Sequence, residues 1–255
     1  MKNIYPKITF HPLLLFFALL AIFTAHFQQF LTFMLIIFIH ECGHLLFAFL
    51  FHWKIEKIIF LPFGGMIKFH EKLNRPIYQE FLIVLGGPLF QILFSFVYPT
   101  IYHIPLLIFN LLPIYPLDGS KILLLIFNVC FSYYQSYVFL VIFSYSTIFL
   151  LNLCYPSFYF LIFSLFLLFQ QVQFMRDIPS YFLTFLFERY EKDYPYYRKK
   201  IIVGKNVKRM KRSVNHTFFY NQRIYSEKEH LKSIFMKKWK CQILSNYLLQ
   251  FCLSY

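Results

Sequence analysis

Charge is what this sequence mostly lacks. Asp, Glu, Lys and Arg make up 14% of its 255 residues, and only 11 are acidic. Between Ile8 and Trp53 the sole such residue is Glu41. From Phe81 to Met175 the only formal charges are Asp118 and Lys121. Runs this long and this poor in charge exclude an ordinary water-soluble globular domain. Cysteine is sparse as well. Cys42, Cys130, Cys154, Cys241 and Cys252 form no CxxC pair and no secreted-scaffold spacing. That excludes a disulfide framework and a thiolate metal ribbon, and reduced, inert thiols are expected. The two halves of the apolar region show no internal repeat, and the basic C-terminal part carries no nucleic-acid-binding motif, so no nucleic acid partner is expected.

What is present is apolar. Hydrophobic residues reach 59%, and Phe alone occurs 37 times. The net charge of +14 is unevenly spread. Residues 176–255 hold 17 Lys and Arg against 6 Asp and Glu, which leaves little imbalance upstream. The chain therefore divides into a membrane domain at 1–175 and a basic tail at 176–255, the latter a candidate partner for anionic lipid.

The apolar runs predict about six transmembrane helices, near residues 10–27, 30–51, 79–98, 102–128, 134–154 and 157–174. The first could instead be a signal peptide, with a basic start and the small residues Ala21 and Ala25. A second long apolar segment follows almost at once, which favours a helix. Residues 55–60 and 66–69 read as short strands joined through Leu61-Pro62-Phe63-Gly64-Gly65, a hairpin at the membrane surface. The fold class is thus an all-α polytopic membrane protein with one surface β-hairpin and a basic cytosolic tail. Lys and Arg concentrate at the N-terminus, in the loop at 52–76 and in the tail. The alternate connections near 28, 99–103 and 155 have none. Six crossings with both termini cytosolic satisfy every loop.

Glu41 belongs to His40-Glu41-Cys42-Gly43-His44, inside the second apolar run. On a helix, His40 and His44 share one face and can ligate one Zn²⁺, while Glu41 can act as general base toward water. A carboxylate in hydrocarbon needs a metal, a partner or water. A catalytic zinc takes three protein ligands, and Asp118 is the other carboxylate inside a membrane segment. Pro113, Pro116 and Gly119 break the helix around it, so it is the candidate third ligand. Lys121 could snorkel to the interface. His11, His26, His52 and His103 lie near helix ends, where an interfacial place is the default. His70, His216 and His230 are expected to be solvated.

These residues carry a resemblance. His40-Glu41-x-x-His44, Leu61-Pro62-Phe63-Gly64-Gly65, Gly86-Gly87-Pro88 and Asn110-Leu111-Leu112-Pro113-Ile114-Tyr115-Pro116-Leu117-Asp118-Gly119 resemble the site-2 protease family of intramembrane zinc metalloproteases. Residues 51–55 and Leu186-Phe187-Glu188-Arg189-Tyr190 are similar to its sporulation branch in endospore-forming bacteria. The resemblance implies a zinc metalloendopeptidase with one Zn²⁺ per chain on His40, His44 and Asp118, and Glu41 as catalytic base. It implies that Asn110, with Pro113 and Pro116, helps position substrate or water. It also implies that the Gly64-Gly65 hairpin receives substrate as an added strand. In that branch the substrate is a membrane-associated precursor of sigma-factor type, and inhibitory membrane proteins are expected partners. The location would be a bacterial inner or forespore-surrounding membrane. Three features depart from the pattern: Gln91 stands where many members have Asn, the stretch from Pro88 to Asn110 is short, and the tail does not resemble the CBS domain common in that branch. A metal-ion transporter using His40, Glu41, His44 and Asp118 as a transit site is the alternative; the missing internal repeat argues against it. A catalytically dead scaffold would have no use for Glu41.

Overall fold

The apolar runs form helices because a chain in hydrocarbon must satisfy its backbone internally. The computed structural model describes residues 7–10, 12–61, 64–69, 75–192, 194, 196 and 198–236. Strand β1 (Lys7–Phe10) leads into α1 (Pro12–Phe23) and α2 (Phe27–Leu50). The hairpin β2 (Ile55–Leu61) and β3 (Gly64–Phe69) follows, then α3 (Ile77–Val97), α4 (His103–Asn110), α5 (Asp118–Cys130), α6 (Tyr133–Cys154) and α7 (Phe158–Glu191). The C-terminal part forms β4 (Lys199–Val203), β5 (Asn215–Tyr220) and β6 (Arg223–Ser226), and residues 227–236 are helical.

Among the described residues, four helical stretches are long and apolar enough to cross a membrane: Phe27–Leu50, Ile77–Val97, Tyr133–Cys154 and Phe160–Glu191. Their outward faces are apolar; Phe49, Phe96 and Leu150 are all exposed, as lipid-facing side chains would be. The first expected crossing differs from the sequence reading, and the fourth is broken where the sequence placed the break. α1 has 12 residues, which at 1.5 Å each is shorter than a full crossing of about 30 Å of hydrocarbon. The fourth is split into α4 and α5 by residues 111–117, since the two prolines cannot continue the helix. The boundary expected at 175/176 falls inside α7, which runs on past Pro179 to Glu191.

α2 and α3 touch backbone to backbone. A Cβ on Gly43 would fall on the Gly86 carbonyl, and one on Gly86 would lie 2.6 Å from the Gly43 oxygen. Small residues are what allow so close an approach. The hairpin strands lie where expected, with Phe60 opposite Gly65 and Leu61 opposite Gly64; Pro62 and Phe63 are outside the described residues. β1 adds in parallel to β2, giving the order β1-β2-β3 and, among the described residues, leaving one edge of β3 unpaired by strand. Trp53, stacked edge-on against Phe69 and hydrogen-bonded to Gln79, ties the hairpin base to α3.

Within the basic tail, residues 199–236 form a folded unit. β4 pairs parallel with β5, and β5 antiparallel with β6, through a two-residue turn at Asn221 and Gln222 with positive φ of 51° and 61°. Ile202, Met210, Phe218 and Leu231 share one buried core with Tyr133 of α6 and Phe185 and Leu186 of α7. His216 and His230 are buried, each 2% exposed, which corrects their expected solvation: both sit inside this small unit. Arg212 reaches back to α3. Its guanidinium donates to both Glu80 oxygens, at 2.7 and 2.5 Å, and to the Arg75 carbonyl at 3.0 Å. Burial alone would lower its proton affinity, but the Glu80 carboxylate outweighs burial and holds it above the usual arginine value.

Candidate metal centre

One face of α2 presents His40, Glu41 and His44, all buried between α3 and the hairpin. The third component arrives from the broken crossing. Residues 111–117 are clamped from behind: Ser144 of α6 donates to the Pro113 carbonyl at 3.0 Å, and Gln171 of α7 donates to the Tyr115 carbonyl at 2.9 Å. Gly119 lies so close to the Leu111 carbonyl that a Cβ would overlap it. This clamp fixes Asp118 in the first turn of α5, where the helix N-terminus favours a carboxylate.

Asp118 Oδ2 lies 2.8 Å from His40 Nε2 and 2.9 Å from His44 Nε2, and the two Nε2 atoms are 3.1 Å apart. Lys121 Nζ takes the other oxygen, Oδ1, at 2.8 Å, with its side chain 43% exposed. The tautomers follow from the partners behind the rings. His44 Nδ1 is 2.8 Å from the Ile83 carbonyl, an acceptor only, so Nδ1 carries the proton. The Gly87 N–H, on the next turn of α3, also points at this atom from 3.3 Å, but the shorter contact is to a carbonyl that cannot donate, and it decides where the proton sits. His40 Nδ1 is 2.9 Å from Gln91 Oε1. Both Nε2 atoms are then bare, and two lone pairs and a carboxylate oxygen converge on one gap in a buried place. Such a set of acceptors is satisfied by a cation. His40, His44 and Asp118 are the one group of this kind among the described residues, with ligand atoms within 4.8 Å of one another. Gly87 leaves the gap open, since a Cβ there would fall on the His44 ring and 2.6 Å from His40 Nε2. The donor set of two imidazoles and one carboxylate fits Zn²⁺.

Glu41 sits under the hairpin. The Gly65 N–H donates to Glu41 Oε1 at 2.6 Å, and a side chain on Gly65 would overlap the carboxylate. The unpaired edge of β3 thus runs past the carboxylate. The remaining sequence candidates are more distant in role. Asn110 ends α4 with its side chain buried, and its amide makes no hydrogen bond among the described residues. Pro113 and Pro116 lie in the clamped loop, the latter after a cis bond to Tyr115. Gly64 opens β3. His26 is exposed, with Nδ1 2.5 Å from the Thr24 carbonyl, and takes no part in the cluster. His103, expected at the interface, is buried, 5% exposed. Cys42, Cys130 and Cys154 are free thiols. His11, His70, Cys241 and Cys252 lie outside the described residues. Sequence reasoning missed Gln91 as a partner of His40; the available signal was a lone amide, one turn beyond Gly87, in a charge-free run.

The chain is similar to several known proteins. The family model Peptidase family M50 matches residues 28–105, which include the His-Glu-x-x-His segment. Stage IV sporulation protein FB of Bacillus subtilis is 38% identical over 138 residues, covering 48% of each chain. A zinc metalloprotease of Methanocaldococcus jannaschii is 32% identical over 117 residues, covering 38% of this chain and 34% of its own. The chain therefore spans half or less of these relatives' lengths. The solved site-2 protease from Methanocaldococcus jannaschii superposes with a TM-score of 0.53 at 25% identity, covering 68% of this chain and 92% of that one. Residues 28–105 thus match the Peptidase family M50 model, and the chain's fold is similar to that of a solved site-2 protease.

Proposed function

We propose that this chain is an intramembrane zinc metalloendopeptidase of the site-2 protease type. The carrying observation is the convergence of two bare imidazole nitrogens and Asp118 Oδ2 on one buried gap, beside the Glu41 carboxylate. His40, His44 and Asp118 would hold the zinc. When bound, zinc supplies Lewis-acid chemistry: it polarises the scissile carbonyl and makes water easier to deprotonate. Glu41 takes the proton from the attacking water and passes it to the leaving amine. The Gly65 N–H fixes the carboxylate through Oε1, which leaves Oε2 for that transfer. Substrate backbone adds along the unpaired edge of β3, and its extended form brings the peptide bond past Glu41. Asn110, at the end of α4, and Pro113 and Pro116, in the loop that leads to Asp118, would help position substrate.

The likeness to a sporulation protein supports a finer reading. The substrate is a membrane-associated precursor of sigma-factor type, with membrane proteins as inhibitors. The six-crossing topology, with α1 and the α4–α5 pair as shortened crossings and both termini cytosolic, follows from the basic loops. In that arrangement the tail lies at the cytosolic surface. Its exposed Lys199, Lys200 and Lys205, with Ile201 and Val203 exposed between them, suit anionic lipid. The test is co-expression with a membrane-tethered precursor of this class. Wild type should cleave it and Glu41→Gln should not; cleavage by both would remove the proposed mechanism.

A further inference from the structure

Gln91 is an amide 1% exposed in the middle of α3, behind His40 as seen from the ligand gap. We infer that Gln91 is a positioning residue for the metal centre, one that locks His40 in the tautomer whose Nε2 is bare and is itself set by the His103 carbonyl. The inference rests on the metal-centre reading above.

An amide has two unlike ends, and the neighbour at one end decides what the other offers. Gln91 Nε2 is 2.9 Å from the His103 carbonyl, which can only accept. The NH₂ end must therefore face His103, and the oxygen faces His40 Nδ1 at 2.9 Å. A flipped amide would point an N–H at His40 Nδ1. That would favour the other tautomer and place a proton on the very nitrogen that faces Asp118 and His44. His103 is itself held: its Nε2 donates to the Tyr98 carbonyl at 2.9 Å, and its ring packs edge-on against Phe94. The connection from Tyr98 to His103 is short, so the carbonyl that orients Gln91 comes from the residue that closes the turn. The two histidines are thus held differently. His44 leans on the Ile83 backbone carbonyl, which no substitution removes, whereas His40 depends on one replaceable side chain. A partner behind a metal-bound histidine fixes its tautomer and ring orientation and raises its basicity.

The test uses the purified full chain in detergent. Gln91→Met keeps the length but loses the acceptor; Gln91→Glu keeps an oxygen toward His40, and when protonated it can still donate to His103. Zinc retention against a chelator, the visible spectrum of the cobalt-substituted protein and the kcat and KM of cleavage are measured, with thermal unfolding of the metal-free form alongside. Gln91→Met should weaken zinc binding by about 10–100-fold and alter the cobalt spectrum. kcat should fall more than KM changes, and Gln91→Glu should restore most of the loss. If Gln91→Met does not fold, Gln91→Asn, which withdraws the amide by one methylene, should show a smaller loss of the same kind. Wild-type zinc retention and an unchanged cobalt spectrum in the folded variants would overturn the inference alone. Failure of the wild type to bind either ion would overturn the metal centre and the inference with it.

Discussion

Replacing Arg212 by Ala should loosen the tail from the membrane core. Its side chain is 4% exposed and that of Glu80 20%, and the pair is joined by two charge-assisted hydrogen bonds across 132 residues of sequence. Removing one partner of a buried pair leaves the other charge uncompensated, which costs about 3–5 kcal/mol. Glu80 retains some contact with water, so the lower end applies, about 3 kcal/mol. At about 1.4 kcal/mol per factor of ten, opening of the tail becomes roughly a hundredfold more frequent. The Lys- and Arg-rich tail makes trypsin a direct probe. When opening and reclosing are faster than cleavage, the rate tracks the open population. Tryptic release of the tail should therefore accelerate by about two orders of magnitude in Arg212→Ala. The pair Arg212→Met with Glu80→Gln should recover much of the difference, since it leaves no buried charge. A tryptic rate unchanged in Arg212→Ala would refute the argument that this ion pair to α3, and not only the apolar contacts of Met210 and Phe218 with α6 and α7, holds the tail to the membrane helices.

Gly87→Ala should abolish cleavage by about 10²-fold or more, because the added methyl meets both imidazoles and displaces ligand atoms by the order of 1 Å; single-turnover rates on a tethered substrate read this directly, and wild-type rates would mean α2 and α3 are farther apart than described. Gly65→Ala should also lower turnover, by pushing the hairpin off Glu41, while leaving bound zinc unchanged in metal analysis. A reporter fused after Met236 should give a cytosolic signal, and one inserted at Thr100 a signal from the opposite side; the reverse pattern would overturn the topology.

The centre of the site was legible because membrane hydrocarbon makes charge conspicuous. Glu41 and Asp118 stand out as lone carboxylates in apolar runs, and the four-residue spacing of His40 and His44 is helical geometry. The hairpin showed through its Pro-Phe-Gly-Gly turn. Other features had no such marker. Gln91 is neutral, and its role depends on the carbonyl of His103, a backbone group that no side-chain pattern reports. The Arg212–Glu80 pair joins distant segments, and Arg212 looked like one more cation in a basic run from Lys205 onward. Met210, fully buried in that same run, was hidden by its charged neighbours. β5 was obscured by Asn215 and His216 at its start, and its turn uses Asn-Gln where Asn-Gly would have been read. The short α1 shows that apolar length sets only an upper bound on a crossing, whereas the break between α4 and α5 was legible from Pro113, Pro116 and Gly119.

What holds the metal is the central question. X-ray absorption at the zinc edge of the purified full chain, together with its zinc content, tests this most directly. About one zinc per chain is expected, with nitrogen and oxygen neighbours only, an imidazole signature from His40 and His44, and loss of that signal with the metal in Asp118→Ala. A sulfur neighbour from Cys42, or full zinc content with an unchanged spectrum in Asp118→Ala, would contradict this ligand set.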